Sequence, residues 1–189
     1  MTRAAIALAI MLVAAPSSAG QLAGVTMPDE VSVAGKTLVL NGLGLREATA
    51  LMVDVYVAGL YVEGRSTDAE PILSPSTGKR IVMKFLRSVG REKLAAAWTE
   101  GFEKNAGDKA STVAPGLATM NAAMDDVKKD DTIVLTFVPG AGTTVSVKGQ
   151  DVAAIPGDDF QRVLFSVWLG PQPPNVSLRD GMLGRTASP

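Results

Sequence analysis

After an unbroken apolar run, Ala4–Ala15, the chain settles into alternation of hydrophobic and polar positions. Val25–Val33 has extended character, Ala34-Gly35 predicts a tight turn, and Lys36–Leu40 resumes with Leu38 and Leu40 on one side. Together they read as a hairpin. The glycines of Asn41-Gly42-Leu43-Gly44-Leu45-Arg46 allow a bend, a bulge or a close approach of another backbone. The strongest strand is Met52–Val62, with Val53, Val55 and Val57 on one face and Asp54, Tyr56 and Ala58 on the other. Gly59 inside it marks a bulge or a place where something packs on the backbone. Residues 64–79 read as a polar loop and Arg80–Leu86 as a further strand.

The period then changes. In Arg91–Asn105, Leu94, Ala97, Trp98, Gly101 and Phe102 recur at helical spacing, which predicts an amphipathic helix. Ala106–Ala114 reads as a connector. Pro115 suits the first position of a second helix whose face continues through Leu117, Met120, Met124 and Val127 to about Lys129. Asp131–Val138, Thr143–Lys148 and Asp151–Ile155 form an antiparallel meander joined by glycine turns. Asp158–Leu169 is a helix with Phe160, Val163, Leu164, Val167 and Trp168 on its buried side, closed by Gly170. Ser177 is placed to cap a last short helix. Strands, two helices, strands and two helices, with hairpin-length turns and no internal repeat, predict an α+β fold. One antiparallel sheet carries helices on one face, in a single domain over residues 20–189.

The opening apolar run changes where this domain is expected to reside. Arg3, the apolar run, Pro16 and the small residues Ser17-Ser18-Ala19 follow the order of a secretory signal peptide over residues 1–19. The run is shorter than the roughly 20 residues of a membrane span. No later run is longer, so the mature chain is expected to be exported, periplasmic or secreted, without a transmembrane span.

Composition narrows the chemistry. Lys and Arg number 18 against 19 Asp and Glu, so there is no basic excess for nucleic acid. The chain has no Cys and no His. Thiol nucleophiles, zinc fingers, imidazole acid–base catalysis and Ser-His-Asp triads are thereby excluded. Gly42-Leu43-Gly44 precedes a strand and lacks a third glycine, so it is no nucleotide motif. Asp125-Asp126 and Asp130-Asp131 read as solvated surface, and Asp158-Asp159 as a complement to a helix N-terminus. No cofactor and no metal is expected. Arg46 and Tyr56 remain. A guanidinium and a phenol converging in a cleft could hold a carboxylate or an enolate. Alternatively, Arg46 lies in water at the sheet edge and Tyr56 is an ordinary strand residue.

Gly42-Leu43-Gly44-Leu45-Arg46 followed by Val55-Tyr56-Val57-Ala58-Gly59-Leu60-Tyr61-Val62-Glu63 resembles the chalcone isomerase superfamily. Phe85-Leu86-Arg87 and Phe165-Ser166-Val167-Trp168-Leu169-Gly170 are similar to its exported bacterial branch, the chalcone isomerase-like proteins. The resemblance extends from about Val25 to Gly184. It implies an open-faced β-sandwich, a large antiparallel sheet under a helical layer with the ligand cleft between them. In the plant enzymes an Arg holds a phenolate, and a Thr and a Tyr polarise the ketone during an intramolecular Michael addition. An Asn and a further Thr contact the other ring. By position these fall on Arg46, Tyr56, near Lys93, near Glu100 and near Val167, so only the Arg is retained.

The fatty-acid-binding relatives use an Arg and a Tyr to hold a carboxylate, which Arg46 and Tyr56 resemble. Leu94, Trp98, Phe102, Phe160, Leu164 and Val167 could wall an apolar tunnel, or pack as ordinary core. The expectation is a non-catalytic binding protein for a fatty acid or similar amphiphilic carboxylate. The alternatives are an isomerase or lyase acting on an enone, with Arg46 and Tyr56 as its catalytic residues, or an exported scaffold without ligand.

Overall fold

A computed structural model describes residues 19–48 and 53–185. The expected signal peptide, up to residue 18, and Met52 lie outside the described residues. The alternating segments pair into one seven-stranded antiparallel sheet whose order follows the chain. Its strands are β3 (Glu30–Val33), β4 (Lys36–Ala48), β5 (Val53–Val62), β6 (Lys79–Phe85), β7 (Thr132–Val138), β8 (Gly142–Val147) and β9 (Gln150–Ile155). The extended stretch Val25–Val33 divides at Pro28-Asp29. β2 (Val25–Pro28) leaves the sheet to pair with β1 (Ala19–Leu22), while β3 pairs with β4. Ala34-Gly35 and Lys148-Gly149 both have two residues at positive φ, the twist that two-residue hairpins require.

The two sheet faces are covered differently. On one face Val25 and Met27 of the small hairpin pack with Val57, Leu43, Leu45 and Val82. On the other, Leu60, Ile81, Met83, Ile133, Leu135 and Phe137 meet the helices α2 (Arg91–Asn105), α3 (Ala110–Ala122) and α4 (Asp158–Leu169) in the main core. This is the open-faced α+β architecture expected. α2 and α4 have the predicted bounds. α3 does not: it starts before Pro115, after a 3₁₀ turn at Gly107–Lys109, and ends at Ala122. Val127 belongs instead to an isolated bridge with Val89, so Met124 and Val127 are buried without being helical. The polar loop 64–79 contains a short helix, α1 (Ala69–Leu73), capped by the Asp68 carboxylate on the Glu70 N–H.

The last helix, α5 (Val176–Met182), lies directly against β4. Gly42 faces the Gly181 carbonyl and Gly44 the Leu178 carbonyl, so that a Cβ at either position would occupy the helix backbone. The glycines therefore serve backbone approach rather than a bend. β4 runs through them, with a register shift between Leu40 and Gly42.

One buried charge shapes the far end of the core. Lys79 is fully buried, and its Nζ donates to the Ser74 carbonyl and to Gln161 Oε1, both at 2.8 Å. The Phe137 ring centroid lies 4.5 Å away. Burial lowers its pKa to about 7, with the attraction of Asp158 opposing the shift. An unfolded chain takes up the lysine proton at much higher pH than the folded one. Stability is therefore expected to rise as pH climbs from about 7 toward the ordinary lysine range near 10.4. Urea unfolding at about pH 6 and about pH 9 should show a larger gain for the wild type than for Lys79→Met; parallel profiles would refute the assignment.

Candidate functional site

Between the sheet and the helical layer lies a cavity of about 330 Å³, at the small end of the roughly 300–1,000 Å³ common for ligand pockets. Tyr56, Met83 and Phe85 of β5 and β6 form its floor, and Leu94 and Trp98 of α2 face Val167 and Trp168 of α4 across it. Its rim carries Lys93, Glu100, Lys104 and Gln172. Tyr56 and Phe85 meet edge to face at 5.5 Å, and so do Trp98 and Trp168 at 5.4 Å.

Arg46 and Tyr56 are directly opposed partners in the β4–β5 ladder, which puts both side chains on the cavity side. Immediately beyond them the register slips: Glu47 pairs with Asp54, and Val55 is the extra residue. The bulge turns Val55 into the cavity next to Tyr56, although simple alternation assigned the two to opposite faces.

Arg46 is half-buried and held from one side. Its Nη1 donates to the Glu47 carbonyl and, at 2.8 Å, to Asn175 Oδ1, which also accepts the Glu47 N–H at 3.3 Å. Asn175 occupies the N-cap position of α5 in place of the expected Ser177, yet its side chain makes no capping bond. Its amide oxygen is committed to β4. Among the described residues, Nε and Nη2 of Arg46 donate to no protein acceptor, leaving the edge of the guanidinium that grips a carboxylate with two parallel bonds.

Tyr56 is complementary. Trp168 Nε1 donates to its oxygen at 3.0 Å. An indole N–H only donates, so the phenol proton is not spent on this bond. Burial pushes the Tyr56 pKa up, against the smaller opposing effects of the Trp168 hydrogen bond and the Arg46 charge. The side chain is therefore a neutral donor at physiological pH. At the rim, hydrogen bonding and charge from Lys104 hold the Glu100 pKa down, with a smaller contribution from Arg46. Among the described residues no group of three or more His, Cys, Asp or Glu is arranged to hold a metal ion.

Arg46, Tyr56, Leu94, Trp98 and Val167 thus line one cavity. Phe102, Phe160 and Leu164, expected to share the wall, do not. The cavity meets α4 only at its last turn, so Leu164 and Phe160 lie further back, and Phe102, one turn beyond Trp98 on the same buried face of α2, lies outside the lining too. Phe102 and Phe160 pack ring to ring at 5.5 Å, and Leu164 is completely buried in the core. Leu164→Ala is accordingly expected to cost about 2–5 kcal/mol of unfolding free energy in urea titration. A cost below about 1 kcal/mol would place Leu164 at a void rather than in packed core. Asn175 and Val55 were not anticipated from the sequence. An Asn before a helix signals a cap, and nothing local reveals that its partner is 129 residues away.

The sequence model of the chalcone isomerase-like family matches residues 19–184. The chain belongs to the chalcone isomerase-like family. Among solved structures, the crystal structure of a fatty-acid binding protein of Arabidopsis thaliana superposes on this chalcone isomerase-like chain with a TM-score of 0.71. Sequence identity is 17%, over 89% of this chain and 97% of that one. That likeness is one of fold. No curated protein sequence matches significantly. In this family member Lys93, Glu100 and Val167, the residues at or near which the resemblance would put the plant enzymes' Tyr, Asn and second Thr, line the cavity. They bring to it an ammonium, a carboxylate and an aliphatic group in place of hydroxyls and an amide.

Proposed function

We propose that the chain is an exported, non-catalytic binding protein for a fatty acid or a similar amphiphilic carboxylate. Residues 1–19 act as its signal peptide, and residues 20–189 form the single binding domain. One observation carries the reading: a guanidinium edge and a neutral phenol proton, both uncommitted among the described residues, meet in a cavity whose walls are aromatic and aliphatic inside a rim of Lys93, Glu100, Lys104 and Gln172. Arg46 and Tyr56 bind the carboxylate, while Leu94, Trp98 and Val167 contact the apolar tail. The fold shared with a fatty-acid binding protein supports this. So does the replacement of the hydroxyls that would stabilise charge on a ketone, since such donors commonly supply a large part of enzymatic rate acceleration.

Solvent extraction of the purified protein followed by mass spectrometry, together with titration of a fluorescent fatty acid, tests the proposal. Co-purified or saturably bound carboxylate is expected; absence of both would overturn it. The phenol proton of Tyr56 could also polarise a carbonyl, which keeps an isomerase or lyase acting on an enone as the second reading. Loss of chalcone absorbance above the spontaneous rate, abolished by Tyr56→Phe, would favour that reading instead.

A further inference from the structure

From the geometry around Tyr56 we infer that Trp168 is a specificity-determining residue: it makes the headgroup site donor-only and so selects an ionised carboxylate over a hydroxyl of the same chain length. The inference rests on the binding role proposed above and adds the group that decides which headgroup is accepted.

A tyrosine hydroxyl is ambivalent, able to accept as well as donate. Here the Trp168 indole, 1% exposed and fixed edge to face against Trp98, donates to the Tyr56 oxygen at 3.0 Å. That bond occupies the oxygen and directs the phenol proton elsewhere. The neighbouring guanidinium of Arg46 has donors only. Among the described residues the one side-chain oxygen that accepts from it, Asn175 Oδ1, already takes Arg46 Nη1 and the Glu47 N–H, and the carboxylate of the cavity, Glu100, stands at the rim paired with Lys104. An entering headgroup therefore meets N–H and O–H protons. A carboxylate, which has no proton, is satisfied by them. A primary alcohol accepts one bond but leaves its own proton without a partner, and a stranded buried donor weakens binding about tenfold or more. Sites that strand a polar group in this way discriminate strongly. Trp168 does not touch the ligand headgroup in this scheme; it acts through Tyr56.

The test uses the full mature chain as wild type, Trp168→Phe, Tyr56→Phe and the double variant. Displacement of a fluorescent fatty acid gives affinities for a fatty acid and a fatty alcohol of equal chain length. The wild type should prefer the acid by about tenfold or more. Trp168→Phe frees the Tyr56 oxygen to accept from the alcohol, so the preference should narrow at least about fivefold, and in the Tyr56→Phe background the same substitution should leave it unchanged. If Trp168→Phe does not fold, 3-benzothienylalanine at position 168 keeps the ring shape and removes only the N–H.

An acid-to-alcohol ratio that stays at the wild-type value while both affinities fall would assign Trp168 a packing role only. An equal change in the Tyr56→Phe background would show that it does not act through Tyr56. Either result overturns this inference and leaves the binding role standing. Wild-type protein that binds neither ligand overturns both.

Discussion

Arg46→Gln is expected to weaken binding of a fatty carboxylate by about 10–100-fold. A charge-assisted hydrogen bond to a partly buried guanidinium contributes about 1.5–3 kcal/mol, and each 1.4 kcal/mol is a factor of ten. Glutamine retains a donor amide but loses the charge and the paired N–H edge. Arg46→Lys should fall between the two, because an ammonium keeps the charge without the planar fork. The fold should survive both changes. Arg46 is half-exposed, and the contact it forfeits with Asn175 is one hydrogen bond at the end of a helix. Fluorescence titration of the three proteins, paired with thermal melts, separates affinity from stability. Equal affinity in all three would remove Arg46 from the site.

Gly44→Val is expected to lower unfolding stability by about 3 kcal/mol or more, at the upper end of what overpacking costs. Valine suits a strand, so local propensity would favour the change. The obstacle is tertiary. A Cβ at position 44 would lie on the Leu178 carbonyl, which belongs to a helix backbone and cannot rotate aside as a side chain would. The strand and α5 must part, and the consequences reach the site. The N-cap residue of α5 is Asn175, whose amide oxygen holds both Arg46 Nη1 and the Glu47 N–H. Urea unfolding should therefore show the stability loss, and ligand titration of the folded fraction should show weakened carboxylate binding as well. Unchanged stability would mean that α5 can dock without the glycine; lost stability with unchanged affinity would mean that Asn175 does not position Arg46.

Arg46 and Gly44 show which features a sequence carries locally and which arise only in the fold. The alternation in β5–β9 and the helical periodicity of α2 and α4 are local signals, imposed by which face of each element is buried, and they appeared where expected. Pro115 misled because proline is most at home in the first turn. The 3₁₀ turn at Gly107–Lys109 had already started the helix ahead of it. Phe102, Phe160 and Leu164 were correctly read as buried, but periodicity names a face and not the neighbour across from it. Val55 defeated the alternation rule because a bulge adds one residue to a strand without leaving a local trace. The glycines at 42 and 44 are equally compatible with a bend, a bulge or a close approach, because the approaching helix lies more than a hundred residues later in the chain. Arg46 and Tyr56 could be singled out as candidates; that Asn175 and Trp168 orient them is visible only in three dimensions.

The carboxyl group itself offers the sharpest test. A fatty acid labelled with carbon-13 at its carboxyl carbon, bound to the wild-type chain and followed by NMR through an acid titration, reports the charge state of the headgroup in place. Beside the Arg46 guanidinium and the Tyr56 proton the bound carboxylate should stay ionised to lower pH than the same acid free in solution, and Arg46→Gln should reverse that shift. A bound resonance that titrates at or above the pH of the free acid would contradict the account, because the headgroup would then lie away from the paired donors.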